Sequence, residues 1–406
     1  MYKPYKQITA FGDCYGCGVC AAVCPVGIIG LAPDRQGFLR PAVAEDAACR
    51  CTGCGLCTES CAALSTEAAP YRNPLAAWAG YSTDPEVRFR SSSGGVGYEL
   101  ARGCVGSGGT FCGVRYDVAE RRAEHYIARD EAALAFSRGS KYIQSHSTAG
   151  FREALAASRR GEGSGGADGN SGGNMIVGTP CQVASLRRYL RKMRREDDFT
   201  LVDFFCHGVP SLLLWQQYVR EREATLGTAS EAGFRDKRHG WHDSWRIWGR
   251  HGDEEIYFSD REDLFYKYYL RGYTTSLPCY ACMFRGARSA ADLRIGDMWG
   301  DKYGADQEGV TAVVAFTERG LAEVEALGRR VIMTAESVDT VMQGQLRADQ
   351  PVPSMRRQIL AALAGGRTER RLSLAEIYRR YRLRLWLWRL GFRIGRRWKE
   401  VREQFR

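Results

Sequence analysis

Short apolar runs alternate with amphipathic segments through the middle of the chain. The runs "MIVG" and "FTLVDFF" predict buried strands, and "GTFCGVRYD" with "AEHYIARD" predicts the two strands of a hairpin. Between them, "STAGFREALAASRR", "QVASLRRYLRKM" and "SLLLWQQYVREREATL" carry apolar residues at helical spacing. Because strands alternate with helices, residues 91–335 are predicted to form an α/β domain with a mixed, mostly parallel sheet.

The segments on either side of this domain lack its alternation. Residues 1–68 hold nine of the fifteen cysteines and little periodic structure, and residues 69–90, with three prolines, predict a linker. The Gly/Ser-rich segment 161–174 predicts a flexible insertion at the surface. Residues 336–406 predict a basic helical tail that is rich in aromatic residues.

Nearly all of the net charge belongs to this tail. The chain of 406 residues carries a formal charge of +11, of which residues 367–406 contribute +10 and residues 1–366 only +1. Because the body is almost neutral, we predict no nucleic-acid partner. Three roles stay open for the tail: peripheral contact with an anionic membrane surface, docking to a partner protein, or a solvated helix.

The compartment is inferred from what the sequence lacks. The N-terminus has no apolar signal-peptide core, and no apolar run approaches the ~20 residues that span a bilayer. We therefore expect a cytoplasmic protein, which would be peripheral at the inner membrane face if the tail takes the first of its three open roles. Cysteines in a reducing compartment are expected to bind metals or clusters rather than to form disulfides.

Two cysteine runs share one spacing, C-x2-C-x2-C-x3-C, in "CYGCGVCAAVCP" and "CTGCGLCTESCA". This is the spacing of two-cluster bacterial ferredoxins, in which the fourth cysteine of each run ligates the other cluster. Residues 1–68 are therefore predicted to be an α+β ferredoxin-like domain with two 4Fe–4S clusters. The predicted ligands are Cys14, Cys17, Cys20 and Cys61 for the first cluster, and Cys51, Cys54, Cys57 and Cys24 for the second.

Three details accompany this prediction. Glycines inside the runs, such as Gly16 and Gly18, let the backbone fold tightly enough for N–H groups to point at the sulfurs. Ala62 stands where the second run would carry proline, and Cys49 is an extra thiol that is either a competing ligand or a bystander. A pair of zinc sites is the alternative, although zinc usually takes four cysteines rather than eight interlocked ones.

Four of the remaining cysteines have the positions of ligands. Cys181 and Cys206 each follow a predicted strand, where a doubly wound sheet has its ligand crevice, and Cys279 and Cys282 form a C-x-x-C pair. Such soft ligands suit a third 4Fe–4S cluster; tetrahedral zinc and unrelated buried or reactive thiols stay open. The other two, Cys104 and Cys112, are predicted to lie in the core.

An ordered set of motifs resembles a known family, the beta subunits of coenzyme F-420 (deazaflavin) hydrogenases and dehydrogenases, with a ferredoxin domain fused in front. The resemblance covers about residues 10–330 and rests on "SSSGGVGYELA", "RGSKYIQS", "GTPCQVASL", "FFCHGVPS", "FRDK", "CYACMFRGARSAADLRIGDMWG" and "GVTAVVAFTERG". It implies FAD, a 4Fe–4S cluster on the four cysteines above, and electron transfer between clusters, flavin and a hydride-accepting substrate.

The resemblance also implies site residues. Lys141 and His207 are candidate catalytic residues, with a solvated lysine and a structural histidine as alternatives, and Asp297 is a candidate for orienting the site. The Ser/Gly turn before the first helix suits FAD phosphates, unless it is an ordinary helix cap. The implied cofactor-binding residues are Ser91, Ser92, Ser93, Gly94, Gly95, Arg138, Lys141, Tyr142, Gln144, Gly178, Thr179 and Pro180.

Three functions are weighed on this basis. The first is an iron–sulfur flavoprotein oxidoreductase that acts on a small organic molecule, the deazaflavin coenzyme or another. The second is an electron-transfer subunit that feeds a partner oxidoreductase, with an electron donor or acceptor protein such as ferredoxin as partner. The third is a redox-silent scaffold attached to polysaccharide assembly, which is suggested by family members near polysaccharide-synthesis genes.

Overall fold

A computed structural model describes most of the chain. The described residues are 3–64, 71–162, 173–257, 263–365 and 372–404, with side chains up to residue 391. Most of the predicted flexible insertion, residues 163–172, therefore lies outside the described residues.

Strands and helices alternate through the described part of the chain. The strands are β1 Ile29–Pro33, β2 Leu39–Val43, β3 Ala76–Ser82, β4 Phe111–Asp117, β5 Arg122–Ala128, β6 Ser145–His146, β7 Asn174–Val177, β8 Phe199–Phe204, β9 Glu231–Gly233, β10 Trp248–His251, β11 Glu254–Tyr257, β12 Leu293–Asp297, β13 Thr311–Ala315 and β14 Val331–Glu336. The helices are α1 Tyr5–Ala10, α2 Val19–Ala22, α3 Ala47–Arg50, α4 Leu56–Glu59, α5 Pro85–Arg90, α6 Val96–Gly106, α7 Glu131–Leu134, α8 Thr148–Arg159, α9 Pro180–Lys192, α10 Leu212–Leu226, α11 Leu264–Tyr269, α12 Glu318–Ala326, α13 Val338–Val341, α14 Arg356–Ala364 and α15 Leu374–Gln404.

The large domain is built on a nine-stranded sheet with the order β14-β3-β13-β12-β8-β7-β4-β5-β6. Four neighbouring strands, β12, β8, β7 and β4, run parallel. Antiparallel strands extend this centre on both sides, with β13, β3 and β14 at one edge and β5 at the other. The predicted α/β domain with a mixed sheet and the predicted hairpin are confirmed. The parallel centre brings the carboxyl ends of β7 and β8 to the same edge.

The predicted linker, residues 69–90, differs from its prediction. It contains β3, which pairs with both β13 and β14, and α5, which begins at Pro85. Pro74 precedes the strand, and Pro85 occupies the first turn of α5, where its missing N–H costs nothing. The small residues Ala77 and Ala79 are buried in the sheet. Proline content therefore indicated the ends of the elements rather than a connector.

The cysteine-rich domain packs on helices α8 and α9 of the large domain. It contains the β1–β2 hairpin, and its short helices α2 and α4 contact α8 and α9. The buried side chain of Gln144 accepts a hydrogen bond from the Leu39 N–H at 2.8 Å and donates to the carbonyls of Tyr15 and Gly16. Ser147 Oγ donates to the Cys17 carbonyl at 2.9 Å. These polar contacts fix the backbone around the first cysteine run.

The long helix α15 begins on the large domain, against α10 and α11. Its first N–H, at Leu374, donates to Glu221 at 2.8 Å, and Ser373 with Glu376 forms a reciprocal cap. Leu374 and Ile377 are fully buried in a core that also contains the aromatic side chains of Trp215 in α10 and Phe265 in α11. The predicted helical tail is thus confirmed for the described residues.

Among the helices that the structure describes, none combines the length and the apolar character needed to cross a bilayer.

Glycine replacement tests the close contact between the two domains. Gly16 has φ +66°, and a Cβ there would lie 2.2 Å from both Leu39 O and Gln144 Nε2. We expect Gly16→Ala to lower the thermal midpoint well beyond Gly27→Ala, because Gly27 has a similar φ of +64° but open space around it. The strain of a left-handed residue alone costs roughly 1–2 kcal/mol.

Gly12→Ala is the unstrained control, since Gly12 has neither a positive φ nor a heavy atom within 4 Å. Thermal unfolding and iron content should rank the variants Gly12→Ala, Gly27→Ala, Gly16→Ala in order of increasing damage. Equal midpoints for Gly16→Ala and Gly27→Ala would contradict the close contact.

Candidate redox site

The first predicted set of cysteines surrounds a common space. Cys14, Cys17, Cys20 and Cys61 all line one small cavity of about 20 Å³. Burial, together with the thiols of Cys61 and Cys14, raises the pKa of Cys17 to about 12. The Gly16 N–H donates to Cys14 Sγ at 3.3 Å, as the glycine pattern predicted. Cys61, the fourth cysteine of the second run, therefore lies with the first three cysteines of the first run.

The second set shows the reciprocal exchange. Burial, together with the thiols of Cys54 and Cys24, raises the pKa of Cys57 to about 11. Cys51, Cys57 and Cys24 belong to one packed cluster, whereas Cys54 is exposed. The extra thiol Cys49 is also exposed.

The third set comes from three separate parts of the large domain. Cys181 lies in the first turn of α9, directly after β7, and Cys206 follows β8; Cys279 and Cys282 follow α11. Burial and the thiols of Cys279 and Cys282 raise the pKa of Cys206 to about 12. The Gly208 N–H donates to Cys206 Sγ at 3.4 Å. The thiols of Cys206 and Cys282 likewise raise the pKa of Cys181, so the cysteines of the third set are neighbours.

Cys181 owes its position to a well-formed helix start. Thr179 caps α9 in a reciprocal capping box with Gln182, and Pro180 occupies the first helical position. The Thr179 hydroxyl lies 3.1 Å from Cys181 Sγ. Within the described ranges, no hydrogen bond joins this thiol to a histidine or a carboxylate, so its surroundings do not support a nucleophile.

The first and third sets are neighbours. The thiol of Cys17 raises the pKa of Cys181, after the larger effect of burial. Ser185, one turn beyond Cys181, accepts hydrogen bonds from Cys17 Sγ at 3.7 Å and from the Ala62 N–H at 3.2 Å. Tyr15, from the first cysteine run, is close to the thiols of the third set, and burial with these thiols raises its pKa.

A cavity of about 350 Å³ lies beside the third set, within the usual range of ligand pockets. Its wall contains all four cysteines of that set and Cys17. The predicted residues that line it are Ser91, Ser92, Ser93, Gly95, Arg138, Lys141, Tyr142, Gln144, Gly178, Thr179, Pro180, His207 and Asp297. Gly94 does not line it: Gly94 lies against β3, where a Cβ would be 2.3 Å from Gly80 O.

The Ser/Gly turn and the loop after α7 form one wall. Ser92 Oγ accepts a hydrogen bond from the Ser140 N–H at 2.8 Å. Arg138 lies over the Tyr98 ring at 4.4 Å and donates to its hydroxyl, while its Nε is buried without a partner in the described residues. This wall combines hydroxyl groups with a guanidinium that has a donor left over.

Lys141 is held by backbone rather than exposed to solvent. Its ammonium donates to the carbonyls of Phe136, Ser137, Arg138 and Gly139 at 2.8–3.1 Å. Burial lowers its pKa to about 7, whereas four carbonyl acceptors favour the protonated form. In this arrangement Lys141 shapes the loop that carries Arg138, and a direct catalytic role remains a prediction.

His207 and Asp297 also line the cavity. The surrounding protein lowers the pKa of His207 by desolvation, although the ring is exposed where it lines the cavity. Asp297 is held by Trp241 Nε1 at 2.9 Å and by the buried Arg235 at 3.3 Å. Arg235 in turn donates to the Tyr142 hydroxyl at 3.0 Å and so connects Asp297 with Tyr142.

The three sets of cysteines do not by themselves distinguish iron–sulfur clusters from zinc ions. In the described ranges, no three His, Cys, Asp or Glu side chains converge closely enough to hold a single metal ion. Glycine N–H groups directed at the sulfurs of Cys14 and Cys206 suit cluster ligands, whose potentials such hydrogen bonds tune.

Comparison with known proteins adds independent information. Residues 174–340 match the family model for the C-terminal part of the coenzyme F420 hydrogenase/dehydrogenase beta subunit, and residues 13–65 match a 4Fe-4S dicluster domain. Over residues 174–340, this chain therefore resembles the coenzyme F420 hydrogenase/dehydrogenase beta subunit. It is an iron–sulfur electron-transfer oxidoreductase, and the dicluster match supports the clusters predicted for its N-terminal domain.

Two other comparisons concern curated proteins and solved structures. No curated protein matches the chain. A solved structure of the F420-reducing NiFe hydrogenase complex from Methanosarcina barkeri contains a chain that is 16% identical, with a TM-score of 0.46, over 72% of this chain and 88% of that one.

Several residues in or beside the cavity carry no recognisable signal in the sequence. Arg235 lies in the quoted "FRDK" motif without an assigned role. Tyr15 and Trp245 both line the cavity. Tyr15 lies within the first cysteine run and Trp245 lies outside the quoted motifs, and neither position is marked as part of a cavity wall. His125 was assigned only to a strand, because period-two alternation does not distinguish a cavity wall from a core.

His125 provides a test of the cavity's burial. Desolvation lowers its pKa to about 4 from 6.5, Nε2 lies 3.2 Å from the Val177 carbonyl, and Nδ1 is buried without a partner in the described part of the chain. Between pH 6.5 and 4 the unfolded chain binds a proton here that the folded protein does not. The free energy of unfolding therefore falls as the pH drops, by roughly 3 kcal/mol over that window.

We expect His125→Gln to lose correspondingly less stability on acidification than the wild type. Anaerobic denaturant unfolding at several pH values, followed by tryptophan fluorescence, measures the difference and cancels effects common to both proteins. Parallel pH curves for the two proteins would rule out a buried neutral His125.

Proposed function

We propose that this chain is a flavin-dependent iron–sulfur oxidoreductase, in which the 350 Å³ cavity binds FAD beside a third 4Fe–4S cluster. The observation that carries the proposal is that the Ser/Gly turn and all four cysteines of the third set line one cavity. A bound flavin would supply the exchange between one-electron transfer and hydride transfer to an organic substrate.

The residues of the Ser/Gly turn suit the phosphates of such a cofactor. Ser91, Ser92 and Ser93 lead into the N-terminus of α6, where the helix dipole favours negative charge. Arg138 lines the same cavity, and its Nε has no hydrogen-bond partner among the described residues; Lys141 holds the Arg138 loop through backbone carbonyls. A planar guanidinium is well suited to paired hydrogen bonds with phosphate.

The third set of cysteines lies in a positively charged surrounding. Arg285 donates to the Cys279 carbonyl at 2.7 Å, and its charge lowers the pKa values of Cys206, Cys279 and Cys282 against the larger effect of burial. A fixed cation beside four thiolates stabilises the negative charge of a cluster. This supports four thiolate ligands rather than four unrelated thiols.

The substrate side is assigned to His207 and Asp297. Both line the cavity, and Asp297 is fixed by Trp241 and Arg235. We assign His207 as the group that holds or donates a proton at its imidazole nitrogen, because it is a titratable group that combines exposure with a position in the wall. The substrate is a small organic molecule, the deazaflavin coenzyme or another.

Electrons are exchanged with a partner protein at the second set of cysteines. Cys54 is the exposed member of that set, whereas Cys17 of the first set lies next to Cys181 of the third. The order from the surface to the cavity is therefore second set, first set, third set. A redox protein such as ferredoxin suits this entry point.

Cofactor analysis of the anaerobically purified chain tests the proposal. We expect about twelve irons and twelve sulfides, four of each for every cluster, together with one FAD. About eight irons without flavin would overturn it. Full cofactor content without turnover of any small molecule, in a chain that reduces a partner protein, would instead favour an electron-transfer role.

Replacement of Cys181 isolates the third set. We expect Cys181→Ala to lose about four irons and to retain the two clusters of the dicluster domain. The matched control is Cys49→Ala, because Cys49 is an exposed thiol outside all three sets and its loss should leave the iron content unchanged. Unchanged iron in Cys181→Ala would remove Cys181 from the ligands.

A further inference from the structure

Helix α15 carries a second apolar face, away from the redox site. Leu383, Trp386, Leu387 and Leu390 are each between 42% and 66% exposed. Since successive helical residues are about 100° apart, these four side chains share one stripe roughly 100° wide. Among the described residues, no other helix shows such a concentration of exposed large apolar side chains.

The opposite face of the same helix is already occupied. Ile377 and Leu385 are buried in the core of the large domain, and Tyr381 and Trp388 pack against it. The Tyr268 hydroxyl donates to the Leu374 carbonyl, and Arg271 donates to the Tyr378 hydroxyl at 3.1 Å. The body of the protein therefore fixes the direction of the exposed stripe.

Arginines border the stripe on both sides. By helical position, Arg380 and Arg384 lie along one border, and Arg382 and Arg389 lie along the other. Arg380, Arg382 and Arg384 are exposed, and none of the three has an ion pair among the described residues. The cationic charge on this face is therefore uncompensated within the described structure.

We propose that this face of α15 binds an anionic membrane surface, with the apolar stripe inserted among the lipids and the arginines at the headgroups. An apolar stripe with cationic borders is the arrangement of helices that lie in the plane of a membrane interface. Trp386 suits the headgroup level, and the +10 charge of residues 367–406 adds attraction to anionic lipids.

A lipid surface fits these features better than an acidic partner protein. The stripe projects from a convex helix, and the arginines lie in two open rows with exposed side chains. A specific protein partner would be expected to use anchors in shaped pockets, with polar groups already held in place. Exposed arginines along both borders of the stripe suit a membrane surface, because its negative charge is spread evenly over the plane.

Sedimentation with vesicles tests the proposal on the full chain with its clusters. We expect wild-type protein to sediment with vesicles of phosphatidylcholine and about 30% phosphatidylglycerol, and far less with phosphatidylcholine alone. The double variant Trp386→Glu, Leu387→Glu should bind the anionic vesicles at least about tenfold more weakly. Arg382→Gln with Arg384→Gln should weaken binding and reduce its dependence on salt.

The matched control is Ile332→Glu, the same kind of change at a 47% exposed residue on the edge strand β14. It should bind vesicles like the wild type, and all variants should keep their iron content and helical circular dichroism. The proposal is overturned if the wild type fails to bind anionic vesicles, including the case in which α15 proves to bind only a protein partner. Equal binding by the wild type and the Trp386/Leu387 variant would also overturn it.

Discussion

The docking of the cysteine-rich domain on helix α9 is the contact on which the rest of the redox architecture depends. One stripe of that helix, at helical spacing, meets the small domain: Cys181, Ser185, Arg188 and Lys192. Ser185 accepts from Cys17 and from the Ala62 N–H, Arg188 donates to the Glu59 carbonyl at 3.0 Å, and Lys192 pairs with Glu59. A single helix thus carries one ligand of the third set and the surface that positions the first.

This contact depends on backbone as much as on side chains. Gln144 and Ser147 bind the carbonyls and an N–H of the small domain, and they lie at or beside the short strand β6. Gln144 also lines the cavity. The loop from Arg138 to Ser147 therefore serves two surfaces at once, so a shift of the small domain would also move a wall of the cavity. Rigid coupling of this kind suits short-range electron transfer, for which the separation of the centres matters most.

Much of this arrangement follows from the sequence, and the limits have physical causes. The cysteine spacing predicted the exchange of Cys24 and Cys61 between runs, because three close ligands leave the fourth to reach a neighbouring centre. Strand ends predicted that Cys181 and Cys206 would meet, because parallel strands share an edge. Strand β3 was missed because its partners, β13 and β14, lie more than 200 residues away in sequence. A strand that pairs only with distant segments leaves no recognisable pattern in a short stretch of sequence.

Sequence motifs identify residues such as Lys141 and Asp297, but the contacts that hold their side chains depend on the fold. Lys141 lines the cavity, and its ammonium is held by four carbonyls, a detail of loop conformation that no motif encodes. Asp297 is positioned by Arg235 and Trp241, which come from a different part of the chain. The Lys141 ammonium and the Asp297 carboxylate are held in place before any ligand binds, so they need little rearrangement during binding. Pre-organised charge of this kind is a general source of affinity and rate in sites that exclude water.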